Sequence, residues 1–256
     1  MQHIPRKRFG QNFLIDTEIV AAIIDAIHLA RDDLLAEVGP GLGALTRPLL
    51  QAIDHLHVVE IDRDIVERLR EQFTGGKLTI HSGDALEFDF NSLGQNLRVL
   101  GNLPYNISTP LLFHLSQFAG SIRDMHFMLQ KEVVERMVAA PSTPDYGRLS
   151  VMLQCRFEME QLFLVPPESF HPVPKVMSAV VRLIPHRRPV ISQDREKLFA
   201  NIVSAAFSQR RKTLRNALRH YLTSEDYSEI EIEPGQRAEN LSVAQFRDIT
   251  DYLSVR

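Results

Sequence analysis

The chain has 256 residues, 44% of them hydrophobic, with 29 lysines and arginines against 32 aspartates and glutamates and a formal net charge of -3. That size suits one large domain or a domain with an appendage, and no run reaches the ~20 apolar residues of a membrane span. The one cysteine, Cys155, excludes an internal disulfide and a cysteine-based zinc cluster, and its neighbours Val151, Met152 and Leu153 make it a core thiol.

The N-terminus is basic through Arg6, Lys7 and Arg8 but has no apolar run behind it, so the expectation is a cytoplasmic protein rather than a secreted one. Asp16 is placed to cap a helix in which Ile19, Val20, Ile23, Ile24 and Ile27 share a face. The strand and helix patterns then alternate: strand 34–38, helix 44–52, strand 56–61, helix 64–73, strands 78–81 and 97–100, and a helix over 109–118 with Ser108 as its cap and Pro110 in its first turn. A strand over 125–129, helices over 131–139 and 148–157, and strands near 160–165 and 177–184 follow. This alternation predicts an α/β fold, a Rossmann-like, mostly parallel sheet wound on both faces. The composition changes at Pro185-His186-Arg187-Arg188-Pro189, after which only helical patterns remain, over 195–207, 212–222 and 243–253. The expected domains are therefore 1–185, catalytic, and 186–256, a small all-α unit.

The turn Glu37-Val38-Gly39-Pro40-Gly41-Leu42-Gly43 joins the first strand to its helix. Glycines there let the chain turn sharply and let a ligand lie on bare main chain. A dinucleotide fingerprint needs its third glycine at position 44, which is Ala44. Glu37 suits a cationic amine better than a pyrophosphate. Glu60 closes the second strand, where an acid accepts both ribose hydroxyls of a nucleoside. Asp62 and Asp64 are better read as caps of the next helix. Asp84 ends the third strand, where its carboxylate can accept from an adenine amino group. One such acid is often only a cap, but three at successive strand ends face one crevice.

Asn102-Leu103-Pro104-Tyr105 follows the fourth strand. Adenine N6 is a poor nucleophile because its lone pair is delocalised into the ring. The Asn102 side-chain carbonyl and the Leu103 main-chain carbonyl can accept its two hydrogens and favour a pyramidal nitrogen. Pro104 fixes the backbone that aims the Leu103 carbonyl, and Tyr105 offers a face for an extruded base. A proline turn closing a strand is common by itself; beside the three acids it reads as a base-handling motif. His81, His114, His126 and His171 have no metal-ligand spacing, and no metal is expected. Positive charge gathers at Arg6–Arg8 and again at Arg210, Arg211, Lys212 and Arg215. Either cluster alone is a solvated face, but beside a base-handling motif both become candidates for phosphate contacts.

These motifs, with Phe9-Gly10-Gln11-Asn12-Phe13-Leu14, Met128–Val133, Phe170–Val176, Gln209–Thr213 and Arg237–Ser242, resemble the small-subunit ribosomal RNA adenine dimethyltransferases, the family linked to kasugamycin sensitivity. The likeness runs from Arg8 to about Tyr252. It implies a seven-stranded class I methyltransferase fold with a helical C-terminal domain, S-adenosylmethionine as cofactor, and a monomer acting on rRNA in a pre-ribosomal 30S particle. It implies dimethylation of two adjacent adenines near the 3′ end of that rRNA. Asn12 and Leu14 would join Gly39, Gly41, Glu60, Asp84 and Asn102 at the cofactor, and Phe170 would stack on the base opposite Tyr105. Two rivals stay open: the erythromycin-resistance methyltransferases, which share Asn-x-Pro-Tyr but act on large-subunit rRNA, and a non-catalytic ribosome-assembly factor. Neither explains the motifs as well, because Gln209–Thr213 and Arg237–Ser242 favour the small-subunit enzyme and no catalytic residue is lost.

Overall fold

A computed structural model describes residues 12–209 and 211–256; Arg6, Lys7, Arg8 and Arg210 lie outside the described residues. Strand β1 (Phe13–Leu14) precedes helix α1 (Thr17–Ile27). Asp16 is the cap the sequence indicated, accepting from the Glu18 and Ile19 amides, and Ile23 and Ile27 turn into the core. Five strands and three helices then alternate: β2 (Leu35–Val38), α2 (Thr46–Ala52), β3 (Leu56–Glu60), α3 (Arg63–Gln72), β4 (Leu78–Ser82), β5 (Leu97–Asn102), α4 (Ser108–Ser116) and β6 (Ile122–Gln130). Next come α5 (Lys131–Val138), α6 (Arg148–Gln154), β7 (Phe157–Val165), β8 (Phe170–His171) and β9 (Ser178–Pro185). The last stretch holds α7 (Glu196–Phe207), α8 (Leu214–Ala217), α9 (Ser224–Glu229) and α10 (Val243–Ser254).

Seven strands form one sheet in the order β4-β3-β2-β5-β6-β9-β7. The pairs from β4 through β6 are parallel, and β9 runs antiparallel to β6. Every residue of β2 is buried, as a strand covered on both faces requires. Strand order reverses between β2 and β5, and in a doubly wound sheet that reversal opens a crevice at the carboxyl ends of the strands. β1 and β8 form a separate antiparallel pair. No helix of the described residues is long and apolar enough to cross a membrane.

The chain divides into two compact units, one running to Val134 and resuming over Glu160–Pro185, the other made of Glu135–Met159 and His186–Arg256. The break after Pro185 matches the compositional change. The second unit also takes in residues 135–159, so it is not made of the C-terminal segment alone. Its core draws Tyr146, Val151 and Cys155 into one cluster with Phe199, Ile202 and Phe246. Burial raises the Cys155 thiol to about 11, which keeps it unreactive.

Three local expectations change. The helix expected over 148–157 stops at Gln154, and Phe157 already starts a strand. Ser108 does not cap α4; it lies in the helix and its hydroxyl donates to the Tyr105 carbonyl at 3.2 Å. The helix expected over 212–222 shrinks to the four residues of α8. Its first amides are taken by other segments, Leu214 N donating to Gln236 O at 2.8 Å and Arg215 N to Pro234 O at 3.1 Å. The chain then turns so that Leu218 and Leu222 are buried.

Candidate active site

The reversal between β2 and β5 sets the site. Gly39, Gly41 and Gly43 have φ of 66°, 54° and 83°, left-handed values that side chains rarely adopt. Gly41 has a second reason to be glycine, since a Cβ there would lie 3.1 Å from the Phe13 ring. The glycine turn thus packs directly under β1. On β5, a Cβ at Gly101 would collide with the Val38 carbonyl, so β5 can lie this close to the end of β2 only with a bare Cα.

Three acids stand around this turn. Glu37 is 2% exposed and accepts from the Thr46 hydroxyl at 2.7 Å. Burial, with a contribution from Glu60, raises its carboxyl to about 8, against the Thr46 hydrogen bond. Glu60 is also buried and accepts from the Asp62 amide at 2.8 Å; desolvation raises its pKa. Neither forms an ion pair among the described residues. Asp84 accepts from the Leu86 amide at 2.9 Å through one oxygen, so it is both a turn cap and a cavity residue. Asp62 caps α3, as the sequence indicated.

One cavity brings together Asn12, Leu14, Gly39, Gly41, Glu60, Asp84 and Asn102 with Glu37, Leu103, Pro104 and Tyr105. All seven residues expected at the cofactor therefore share a single space. Asn102 ends β5, and its Nδ2 donates to the Asn12 carbonyl at 3.0 Å. A carbonyl can only accept, so the amide nitrogen must face Asn12, and Oδ1 is left as the acceptor. The Leu103 side chain is buried, and its amide donates to Met128 O at 3.2 Å, which anchors the motif to β6. Ile107 N closes a turn onto Pro104 O at 3.1 Å.

Phe170 departs from expectation. Its ring is 1% exposed, belongs to the buried cluster that holds Phe13, Leu14 and Met128, and does not line the cavity. The cause is the pairing of β8 with β1, Leu14 opposite Phe170, which makes this aromatic a core residue in this arrangement. The sequence reading also passed over Gly101, Thr46 and the Asn12 carbonyl. A glycine inside a strand was a usable signal for the first; no residue-type signal marks a main-chain carbonyl.

The family sequence model described as "Ribosomal RNA adenine dimethylase" matches residues 2–254. The chain belongs to the ribosomal RNA adenine dimethylase family. A Nitrosospira multiformis protein named "Ribosomal RNA small subunit methyltransferase A" is 70% identical, covering 99% of this chain and 98% of its own length. A Nitrosomonas europaea protein of the same name is 64% identical over 97% and 96%. Among solved structures, a dimethyladenosine transferase from Plasmodium falciparum superposes with a TM-score of 0.81 at 25% identity, covering 92% of this chain and 95% of its own. The 23S rRNA methyltransferase ErmE gives 0.74 at 25% identity, with 95% and 100% covered.

The methyl donor of this dimethylase is S-adenosylmethionine. The residues present fit it on their own chemistry. Bare glycine main chain lines one side, Glu60 and Asp84 offer acceptors for ribose hydroxyls and an adenine amine, and two buried acids with no ion-pair partner among the described residues suit a positively charged molecule.

Proposed function

We propose that this chain dimethylates N6 of two adjacent adenines near the 3′ end of small-subunit rRNA, acting as a cytoplasmic monomer on a maturing 30S particle. The orientation of Asn102 carries this reading: its amide nitrogen is committed to the Asn12 carbonyl, which leaves Oδ1 to accept from an exocyclic amine. Both sequence relatives reported above bear small-subunit methyltransferase names, and the residues 209–213 and 237–242 resemble that group rather than the large-subunit one.

Gly39, Gly41, Glu60 and Asp84 would hold the nucleoside part of the cofactor beside Asn12 and Leu14, and Glu37 would take its amine. When bound, S-adenosylmethionine supplies an electrophilic methyl on a sulfur that leaves as a neutral thioether. Asn102 Oδ1 and the Leu103 carbonyl accept the two N6 hydrogens and aim the lone pair. As N6 forms its new bond to carbon it becomes cationic and strongly acidic, and its extra proton passes to water. Those acceptors gain strength as charge develops on nitrogen, so positioning and electrostatics suffice without a strong base. Tyr105 takes the stacking role; Phe170, buried in this arrangement, backs the β1–β8 pair. Arg211, Lys212 and Arg215 are exposed and in no ion pair among the described residues, which suits contacts to rRNA phosphates.

The test is transfer of labelled methyl groups to small subunits lacking these modifications, followed by mapping. The reading expects dimethyladenosine at two neighbouring adenines. Methylation confined to large-subunit rRNA, or none on either, overturns it.

A further inference from the structure

Tyr105 is held at both ends. Its carbonyl accepts from the Ser108 hydroxyl at 3.2 Å, and its phenol shares a hydrogen bond with the Ser178 hydroxyl at 3.0 Å. Ser178 is 1% exposed and opens β9 opposite Gln130 of β6. The residue before it is pinned too, since Lys131 N donates to Met177 O at 2.9 Å. β6 also pairs with β5, Met128 lying beside Asn102. Ser178 therefore sits two residues along the same ladder from the chemistry motif, where it reaches the tyrosine just beyond the end of β5. Nothing about stacking requires a phenol hydroxyl. Its partner is a buried hydroxyl fixed by the sheet, so the bond orients the ring.

We propose that Ser178 is a positioning residue that locks the Tyr105 ring, and that this lock matters most for the second of the two methyl transfers. The proposal rests on the function proposed above. Unmodified adenine presents two N6 hydrogens, which Asn102 Oδ1 and the Leu103 carbonyl accept together. After one transfer a single N–H remains, so one acceptor loses its partner and the base is held by one hydrogen bond and the stack. A ring free to swing costs little when two hydrogen bonds fix the base, and more when only one remains.

Single-turnover transfer to undermethylated small subunits, at saturating S-adenosylmethionine, with nucleosides quantified by mass spectrometry, reads both steps separately. Ser178→Ala should slow the second transfer about fivefold, the size of one neutral hydrogen bond, and accumulate monomethyladenosine while the first transfer changes less. Tyr105→Phe removes the same bond from the other side and should give the same pattern even if Ser178→Ala fails to fold. The double variant should be no worse than either single one, and Ser178→Thr, which keeps the hydroxyl, should restore the wild-type ratio. A wild-type ratio in Tyr105→Phe, or equal slowing of both transfers, overturns the proposal. A wild-type protein that makes neither product instead overturns the parent reading, and this inference with it.

Discussion

The two ends of the central sheet handle buried charge in opposite ways. At the amino end of β5, Arg98 is 3% exposed and donates to both oxygens of Asp124 at 2.9 Å, to Asp33 at 2.7 Å and to the Ile27 carbonyl at 2.6 Å. Charge there is matched within the chain. At the carboxyl end, Glu37 and Glu60 are buried to a similar degree and have hydroxyl and amide donors but, among the described residues, no cation. A buried ion pair that is fully hydrogen-bonded has no chemistry to offer. Buried acids held above their normal pKa are a cost that a binding site repays only when a ligand brings the missing charge.

Breaking the matched end should give the largest effect. Arg98→Ala leaves Asp124 and Asp33 with only the half-exposed Arg123 as a cation, and loss of one member of a buried pair costs about 3–5 kcal/mol. Chemical denaturation should show it; a loss under 1 kcal/mol on the same scale would mean water reaches these acids. At the other end the same assay should find Glu37→Gln no less stable at pH 7 without cofactor.

Asn102→Ala should act on rate rather than stability. Removing a preorganised acceptor at developing charge is worth on the order of 3 kcal/mol, a hundredfold or more in single-turnover transfer at saturating cofactor. Near-wild-type rates would mean that the Leu103 carbonyl and the stack suffice. Glu60→Ala should weaken S-adenosylmethionine binding by roughly 1.5–3 kcal/mol with folding intact, the loss of charge-assisted hydrogen bonds. Unchanged affinity by titration calorimetry removes Glu60 from the site. The smallest effect is expected in the second unit, where neutralising Arg211, Lys212 and Arg215 should flatten the salt dependence of ribosome binding by up to about three units of slope and leave cofactor affinity alone. An unchanged slope makes them a solvated surface.

Most of the cavity lining was legible in the sequence because strand ends and glycine turns leave residue-type marks. Glu37, Glu60, Asp84 and Asn102 each close a strand or open the turn after it, and all four line one cavity. The matched end left no such mark: Arg98 and Asp124 are 26 residues apart, and only the pairing of β5 with β6 brings them together. The same holds for Tyr105 and Ser178, 73 residues apart. The burial of Phe170 was not legible because β1 and β8 are only two residues each, too short for a periodic signal. The helix over 212–222 failed for a related reason, since the amides that open it are tied to residues 234 and 236, partners that local spacing does not reveal.

The unmatched acids can be tested by proton linkage. Glu37, raised from 4.5 to about 8, favours the folded state fully below pH 4.5; that contribution is lost as pH rises toward 8. In the free protein at pH 7 it is therefore protonated, and a cation docking beside it should expel the proton. Calorimetric titration of S-adenosylmethionine at pH 7, in buffers of differing ionisation enthalpy, measures that release. Wild type should release close to one proton more than Glu37→Gln, with the difference fading above pH 8. Equal proton release by the two proteins would contradict the claim that this end of the sheet keeps acids that ionise only for a cationic ligand.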